Sequence, residues 1–153
     1  MTSTSLTHLI DRWTNVRTRL LTTVDKFSEA ELDYRPFPTS WTVRRLMLHI
    51  AHEEQGEFNH GLTQILSQFP PEYDPLNYPD RAALKALLAQ VHEPNLAYLA
   101  TLSDADLERI VHTPWGDNLR LLDMVDHLVE HEIHHRAELS LILGLLGKRG
   151  LDA

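Results

Sequence analysis

The chain has 153 residues, ten histidines and no cysteine, with a formal net charge of −8 at pH 7. Its length suits one domain over residues 1–153, and its acidic balance argues against a nucleic-acid partner, which needs clustered lysine and arginine. Without cysteine there are no disulfides, thiolate metal sites or cysteine nucleophiles. No apolar stretch approaches the roughly 20 residues of a membrane span. The N-terminal residues also lack the apolar segment of a signal peptide, so we expect a soluble cytoplasmic protein.

The first half of the chain carries two stretches with helical spacing of apolar residues. Helix one is predicted over about residues 5–25. Ser28 and Glu31 then form a capping box that opens a short helical turn. Thr42 is the predicted N-cap of helix two. The helix is predicted to run to about Gln68, because Pro70 and Pro71 follow.

The second half carries two further helical stretches, although we find no internal sequence repeat. Helix three is predicted over about residues 80–102, and Pro94 inside it predicts a kink or a break. A second capping box at residues 103–106 opens another turn. Helix four is predicted over about residues 119–146 and ends at Gly147. Four long amphipathic helices with short connecting helical turns predict an all-α four-helix bundle.

Helix four contains four histidines within nine positions, His127, His131, His134 and His135. Because each helical residue advances by about 100°, His131 and His135 share the core-facing stripe, about 6 Å apart along the axis. Two imidazoles at this spacing can converge on one metal ion. His127 and His134 lie at the margin of the stripe and are expected on a solvated flank. The alternative for a core-facing histidine is a hydrogen bond to a neighbouring group.

The string at residues 131–135 also matches H-E-x-x-H, the zinc signature of metalloproteases. The extended protease motif fails, because Glu138 stands where glycine is required and Leu141 where histidine is required. No strand pattern offers an edge for a peptide substrate, and only Asp152 follows Glu138 as an acidic ligand. The sequence therefore argues against a protease.

A third ligand must then come from upstream, and helix two offers His49, His52 and Glu53. Helical phase places His49 and Glu53 near one border of the buried face and His52 further out. Phase alone favours His49 only slightly. A polar flank without metal is an equally good interpretation of these histidines.

Two stretches carry a resemblance to a known family. WTVRRLMLHIA at 41–51 and HLVEHEIHHR at 127–136 resemble the paired motifs of the DinB/YfiT-like family of metal-dependent four-helix proteins. The resemblance covers nearly the whole chain and implies His49, His131 and His135 as metal ligands. The family often continues R-G-Q where this chain has Arg-Ala-Glu at 136–138. Glu138 lies on the ligand side of the helix, where it can orient a ligand imidazole or pair with a basic residue.

The resemblance also implies a function. Three imidazoles around Zn²⁺ or Ni²⁺ leave a coordination position open, which is typical of a catalytic site. We expect a metal-dependent enzyme, either a thiol-S-transferase that uses a low-molecular-weight thiol or a hydrolase of a small molecule. Glu53 is the first candidate base and Glu132 the second. The family also implies a homodimer. The alternatives are a non-catalytic metal-binding or stress-response bundle, and a histidine-rich interaction protein without metal.

Overall fold

The computed structural model describes residues 5–150, which form a bundle of four long helices. The helices are α1 (Ser5–Val24), α2 (Val43–Glu54), α3 (Arg81–Leu99) and α4 (Leu121–Leu145). Helix α1 packs against α4 and α3, and α2 packs against α3 and α4. Short 3-10 turns lie at Glu29–Asp33, Pro75–Asn77 and Asp104–Glu108. The predicted all-α four-helix bundle is confirmed. No helix within residues 5–150 has both the length and the apolar character to cross a membrane.

Local hydrogen bonds start the helices where the sequence predicts. The Thr42 hydroxyl accepts a hydrogen bond from the Arg45 backbone N–H at 3.1 Å and so caps α2. Asp80 caps α3 in the same way. Both predicted capping boxes are present, at Ser28 and at Ser103. These caps satisfy backbone donors that the first helical turn cannot pair internally.

Helix α2 differs from the prediction at its C-terminal end. The α-helix ends at Glu54 and continues as a π-helical segment over Gln55–Leu62, so the predicted end at Gln68 is wrong. The chain then leaves the helix, and Gln64 adopts a positive φ of 56°. Pro94 does not break α3, which continues through it to Leu99.

A short β-hairpin before α4 was not predicted. Strands β1 (Ile110–His112) and β2 (Asn118–Arg120) pair antiparallel, with Val111 opposite Leu119. The predicted start of helix four at residue 119 is therefore two residues early, since α4 begins at Leu121. The sequence shows no strand pattern at these residues. Three-residue strands are too short to show an alternating pattern in the sequence.

The core contains two apolar clusters, one toward each end of the bundle. A layer of buried polar side chains separates them. Along each helix, the buried apolar residues on one side of a polar side chain belong to one cluster and those on its other side belong to the other cluster. The layer consists of Arg17, Glu54, His92, Asn95 and Glu132.

Candidate metal centre

Three imidazoles from two helices meet in the groove between α2 and α4. His131 and His135 lie one turn apart on α4, and His49 faces them from α2. The Nε2 atom of His131 lies 3.1 Å from Nε2 of His49 and 3.1 Å from Nε2 of His135. The structure thus brings together the three residues that the sequence resemblance implies as ligands.

The spacing of these nitrogens fits a bound metal ion. Zinc–nitrogen bonds of about 2.0–2.1 Å at tetrahedral angles place ligand nitrogens about 3.3 Å apart. Hydrogen bonding explains the cluster less well, because a ring nitrogen offers either one proton or one lone pair. Nε2 of His131 faces two other Nε2 atoms and cannot satisfy both. A cation at the centre would satisfy all three lone pairs.

The surroundings keep two of these imidazoles in the neutral form that binds metal. Burial, and then the neighbouring His135 and His49, lower the pKa of His131 to about 3. Burial also lowers the pKa of His49. Neither ring needs to lose a proton at neutral pH before it can coordinate a metal.

Carboxylates contact the outward nitrogens of two of the rings. Glu138 Oε2 lies 2.5 Å from Nδ1 of His135. A carboxylate there accepts the Nδ1 proton, which leaves the Nε2 lone pair directed at the other imidazoles. Glu53 Oε1 lies 3.7 Å from Nδ1 of His49 and 3.2 Å from Nδ1 of His52. Glu53 is therefore next to the three-imidazole group.

An aromatic ring closes one end of the group. The Trp41 ring centroid lies 4.7 Å from that of His49 and 6.5 Å from that of His135. The guanidinium of Arg45 lies over the same ring, 5.1 Å from its centroid. Trp41 belongs to the first sequence motif, but its packing on two candidate ligands was not predicted.

Two other groups of side chains have ligand spacing, namely His49–His52–Glu53 and His134–His135–Glu138. Each shares one histidine with the three-imidazole group. His52 Nε2 already lies 2.9 Å from the Pro70 carbonyl oxygen, and the side chain of His134 is 68% exposed. The three imidazoles therefore form the best candidate for a metal centre.

The structure places Glu132 away from this centre, in the polar layer of the core. Its side chain is 2% exposed and accepts hydrogen bonds from Arg17 Nε at 2.8 Å and Trp13 Nε1 at 3.2 Å. Both of its oxygens are thus occupied inside the bundle. This position gives Glu132 no contact with the imidazole group and does not favour its role as a base.

The rest of the polar layer was missed at the level of sequence. Arg17 also donates to Glu54 and to the Leu88 carbonyl oxygen. Burial opposes the charge of Arg17, but Glu54 and Glu132 outweigh it and raise its pKa. Burial would raise the pKa of Glu54, yet Arg17 and a hydrogen bond from His92 hold it below its usual value. The sequence feature that could have indicated this layer is the position of Arg17 within the apolar stripe of α1.

Comparisons with known proteins agree with this architecture. A family model described as the DinB superfamily matches residues 12–139, whereas no curated protein matches the chain. A DinB-like protein from Bacillus cereus ATCC 10987 is 17% identical with a TM-score of 0.76, covering 98% of this chain and 97% of that one. YfiT from Bacillus subtilis, described as a probable metal-dependent hydrolase with an unusual four-helix bundle topology, is 22% identical with a TM-score of 0.73, covering 94% and 88%. At these identities the likeness establishes the fold.

Proposed function

The chain belongs to the DinB superfamily, and we propose that it is a metal-dependent enzyme acting on a small molecule, with His49, His131 and His135 as ligands. The observation that carries this proposal is the convergence of the Nε2 atoms of His49 and His135 on that of His131, each at 3.1 Å. Zn²⁺ or Ni²⁺ suits three imidazoles. Either ion would supply Lewis-acid chemistry, polarising a substrate oxygen or lowering the pKa of water.

The protein's own side chains have separable roles in this proposal. Glu138 orients His135 through Nδ1, at 2.5 Å. Glu53 touches the outward side of His49 and is 24% exposed, so it can both orient that ring and take a proton from a substrate or solvent group. Glu53 is the proposed general base.

Hydrolysis of a small ester or amide is the leading reaction. It agrees with the description of YfiT as a probable metal-dependent hydrolase and requires only water as co-substrate. The second candidate is S-transfer to an electrophile. Since the chain contains no cysteine, the sulfur would come from a low-molecular-weight thiol bound as a second substrate. We further propose a cytoplasmic location, which cell fractionation tests.

Metal analysis of untagged protein is the first experiment. We expect close to one equivalent of divalent metal in the native protein and its loss in His131→Ala. The matched control is His134→Ala, which removes an exposed imidazole from the same helix and should retain the metal. Native protein without stoichiometric metal, or equal metal in His131→Ala, would refute the proposed centre.

Turnover separates an enzyme from a non-catalytic metal-binding or stress-response protein. Native protein and His49→Ala are each assayed with esters and amides alone. They are then assayed with electrophiles in the presence of several thiols. Activity should disappear in His49→Ala, and Glu53→Gln should lower kcat by roughly 10²–10⁴-fold when both proteins are assayed at saturating metal. Activity that survives the loss of His49 would exclude this centre, and metal without turnover in any assay would favour the binding protein.

A further inference from the structure

The π-helical segment Gln55–Leu62 holds two aromatic rings against its backbone. A Cβ atom on Gly56 would lie 2.0 Å from Cζ of Phe69, and one on Gly61 would lie 2.4 Å from Cη2 of Trp115. Both rings can therefore approach only because these positions are glycine. Single π-helical turns are frequent at functional sites, and this one builds two aromatic walls.

The two rings form part of a cavity of about 380 Å³ beside the segment. Leu119 from the hairpin and Met124 from α4 complete its apolar lining. Its polar groups are Glu57, Asp117 and His127. This volume, with mostly apolar walls and a few polar groups, is typical of small-molecule sites.

The cavity lies next to the metal centre along both helices. His127 precedes His131 by one turn of α4, about 6 Å along the axis. Glu57 follows Glu53 by four residues, and the two carboxylates repel each other. His127 Nε2 lies 3.3 Å from Glu57 Oε1 and connects the two helices at this level. The cavity thus lies about one helical turn from the three imidazoles, none of which lines it.

A second large cavity, of about 480 Å³, is lined by a candidate ligand, which the cavity at Glu57 is not. It is lined by His135 together with Glu138 and apolar residues such as Phe37 and Leu141. Glu138 contacts Nδ1 of His135. These two polar groups of the cavity are therefore paired with each other on the side of His135 that faces away from the other imidazoles. The cavity at Glu57 is thus the better candidate for the substrate.

The charge of the cavity at Glu57 selects the kind of ligand. The Glu57 side chain is 21% exposed, and its ion-pair partner among residues 5–150 is His127, whose ring is 60% exposed. Burial, with a contribution from Glu53, raises the pKa of Glu57. No lysine or arginine of the described residues lines the cavity. A carboxylate in this setting gains from an added cation, and aromatic faces also attract cations.

We propose that this cavity binds the organic part of the substrate, and that this part is an apolar or aromatic amine whose ammonium group pairs with Glu57. Phe69 and Trp115 would contact the apolar portion. Assigning the bound amine as the substrate rests on the proposed function, whereas its binding does not require turnover.

Calorimetry with two probes of nearly equal shape tests the charge selection. Benzylamine is cationic at pH 7 and benzyl alcohol is neutral. We expect benzylamine to bind native protein roughly tenfold or more tightly than benzyl alcohol, because a hydrogen bond between charged groups is stronger than one between neutral groups. Glu57→Gln should abolish that preference. The matched control is Glu93→Gln on the exposed face of α3, which should keep it.

The same measurements on His131→Ala exclude direct binding of the amine to the metal, because the preference should persist there. Gly61→Ala, which displaces Trp115, should weaken the binding of both probes equally. It tests the contribution of the aromatic ring while the Glu57 carboxylate is unchanged. Equal binding of the two probes to native protein, or an unchanged preference in a folded Glu57→Gln, would overturn the proposal.

The outcomes distinguish this inference from the proposed function. Amine preference in a protein that holds no metal and turns nothing over would support the cavity and refute the enzyme. Metal-dependent turnover without any amine preference would support the enzyme and refute this substrate class.

Discussion

Replacing Arg17 by methionine should be among the most destabilising single changes in the chain. Its guanidinium donates to Glu54 and Glu132 and to the Leu88 carbonyl oxygen. Methionine keeps much of the apolar stem and removes all of these donors. Two carboxylates then remain in the core, at 3% and 2% exposure, without their cation.

The expected cost follows from that burial. Removing one partner of a buried ion pair typically destabilises a protein by about 3–5 kcal/mol. That is a large share of the roughly 5–15 kcal/mol that stabilises a domain. At about 2–4 °C per kcal/mol for a chain of this size, Tm should fall by about 6–20 °C.

The loss should also depend on pH in a defined direction. Arg17 helps hold the pKa of Glu54 below its usual value in the folded protein, which contributes stability above pH 4.5 that disappears as pH falls. Without Arg17, burial dominates and raises that pKa. The folded variant then takes up protons more readily, so Arg17→Met should lose less stability near pH 5 than near pH 7.5.

Urea unfolding at both pH values measures these effects. Arg19→Met, on the exposed face of the same helix, should change stability by no more than about 0.5 kcal/mol. The triple variant with Glu54→Gln and Glu132→Gln should recover part of the loss, because amides cost less to bury than unpaired carboxylates. A loss below about 1 kcal/mol in Arg17→Met, or one independent of pH, would refute this reasoning.

Four further outcomes are expected. In metal-free protein, burial lowers the pKa of His131 from 6.5 to about 3. The free energy of unfolding should therefore decrease as pH falls from about 6.5 towards 3. Urea unfolding at several pH values should show a weaker pH dependence of that free energy in His131→Ala. Glu138→Gln should weaken zinc binding by about 10–100-fold in chelator competition, since it loosens a ligand ring. Gly56→Ala should destabilise by about 1–3 kcal/mol in thermal unfolding because its Cβ displaces Phe69, whereas Gly144→Ala, with no atom within 4 Å, should not. Light scattering should give twice 17.6 kDa if the predicted homodimer forms.

Helical phase was sufficient to bring His131 and His135 together, because both residues belong to one helix and their separation is fixed by its geometry. It was not sufficient for His49. Phase places His49 on a border of α2's buried face, but the rotation of α2 against α4 is a property of the whole bundle. The motif resemblance implied His49 as the third ligand. Glu53 became a candidate because it lies one helical turn after His49.

The features that the sequence did not predict depend on contacts between distant segments. Arg17 pairs with carboxylates 37 and 115 residues away, and a single arginine in an apolar stripe gives no sign of such partners. The π-helical segment begins after Glu54, where glycines meet the rings of Phe69 and Trp115 from later parts of the chain. The spacing of apolar residues over eight positions is too short a pattern to distinguish a π-helix from an α-helix.

The polar layer and the candidate metal centre are connected through neighbouring residues on the same two helices. Glu132 directly follows His131 and points into the core, and Glu54 follows His49 by five residues. Because one guanidinium binds both carboxylates, it links α2 and α4 through α1 and restrains their rotation relative to each other. That rotation determines whether the His49 imidazole meets those on α4. Glu132, which gives helix four its protease-like signature, thus pairs with Arg17 in the core, behind the candidate ligands on α4.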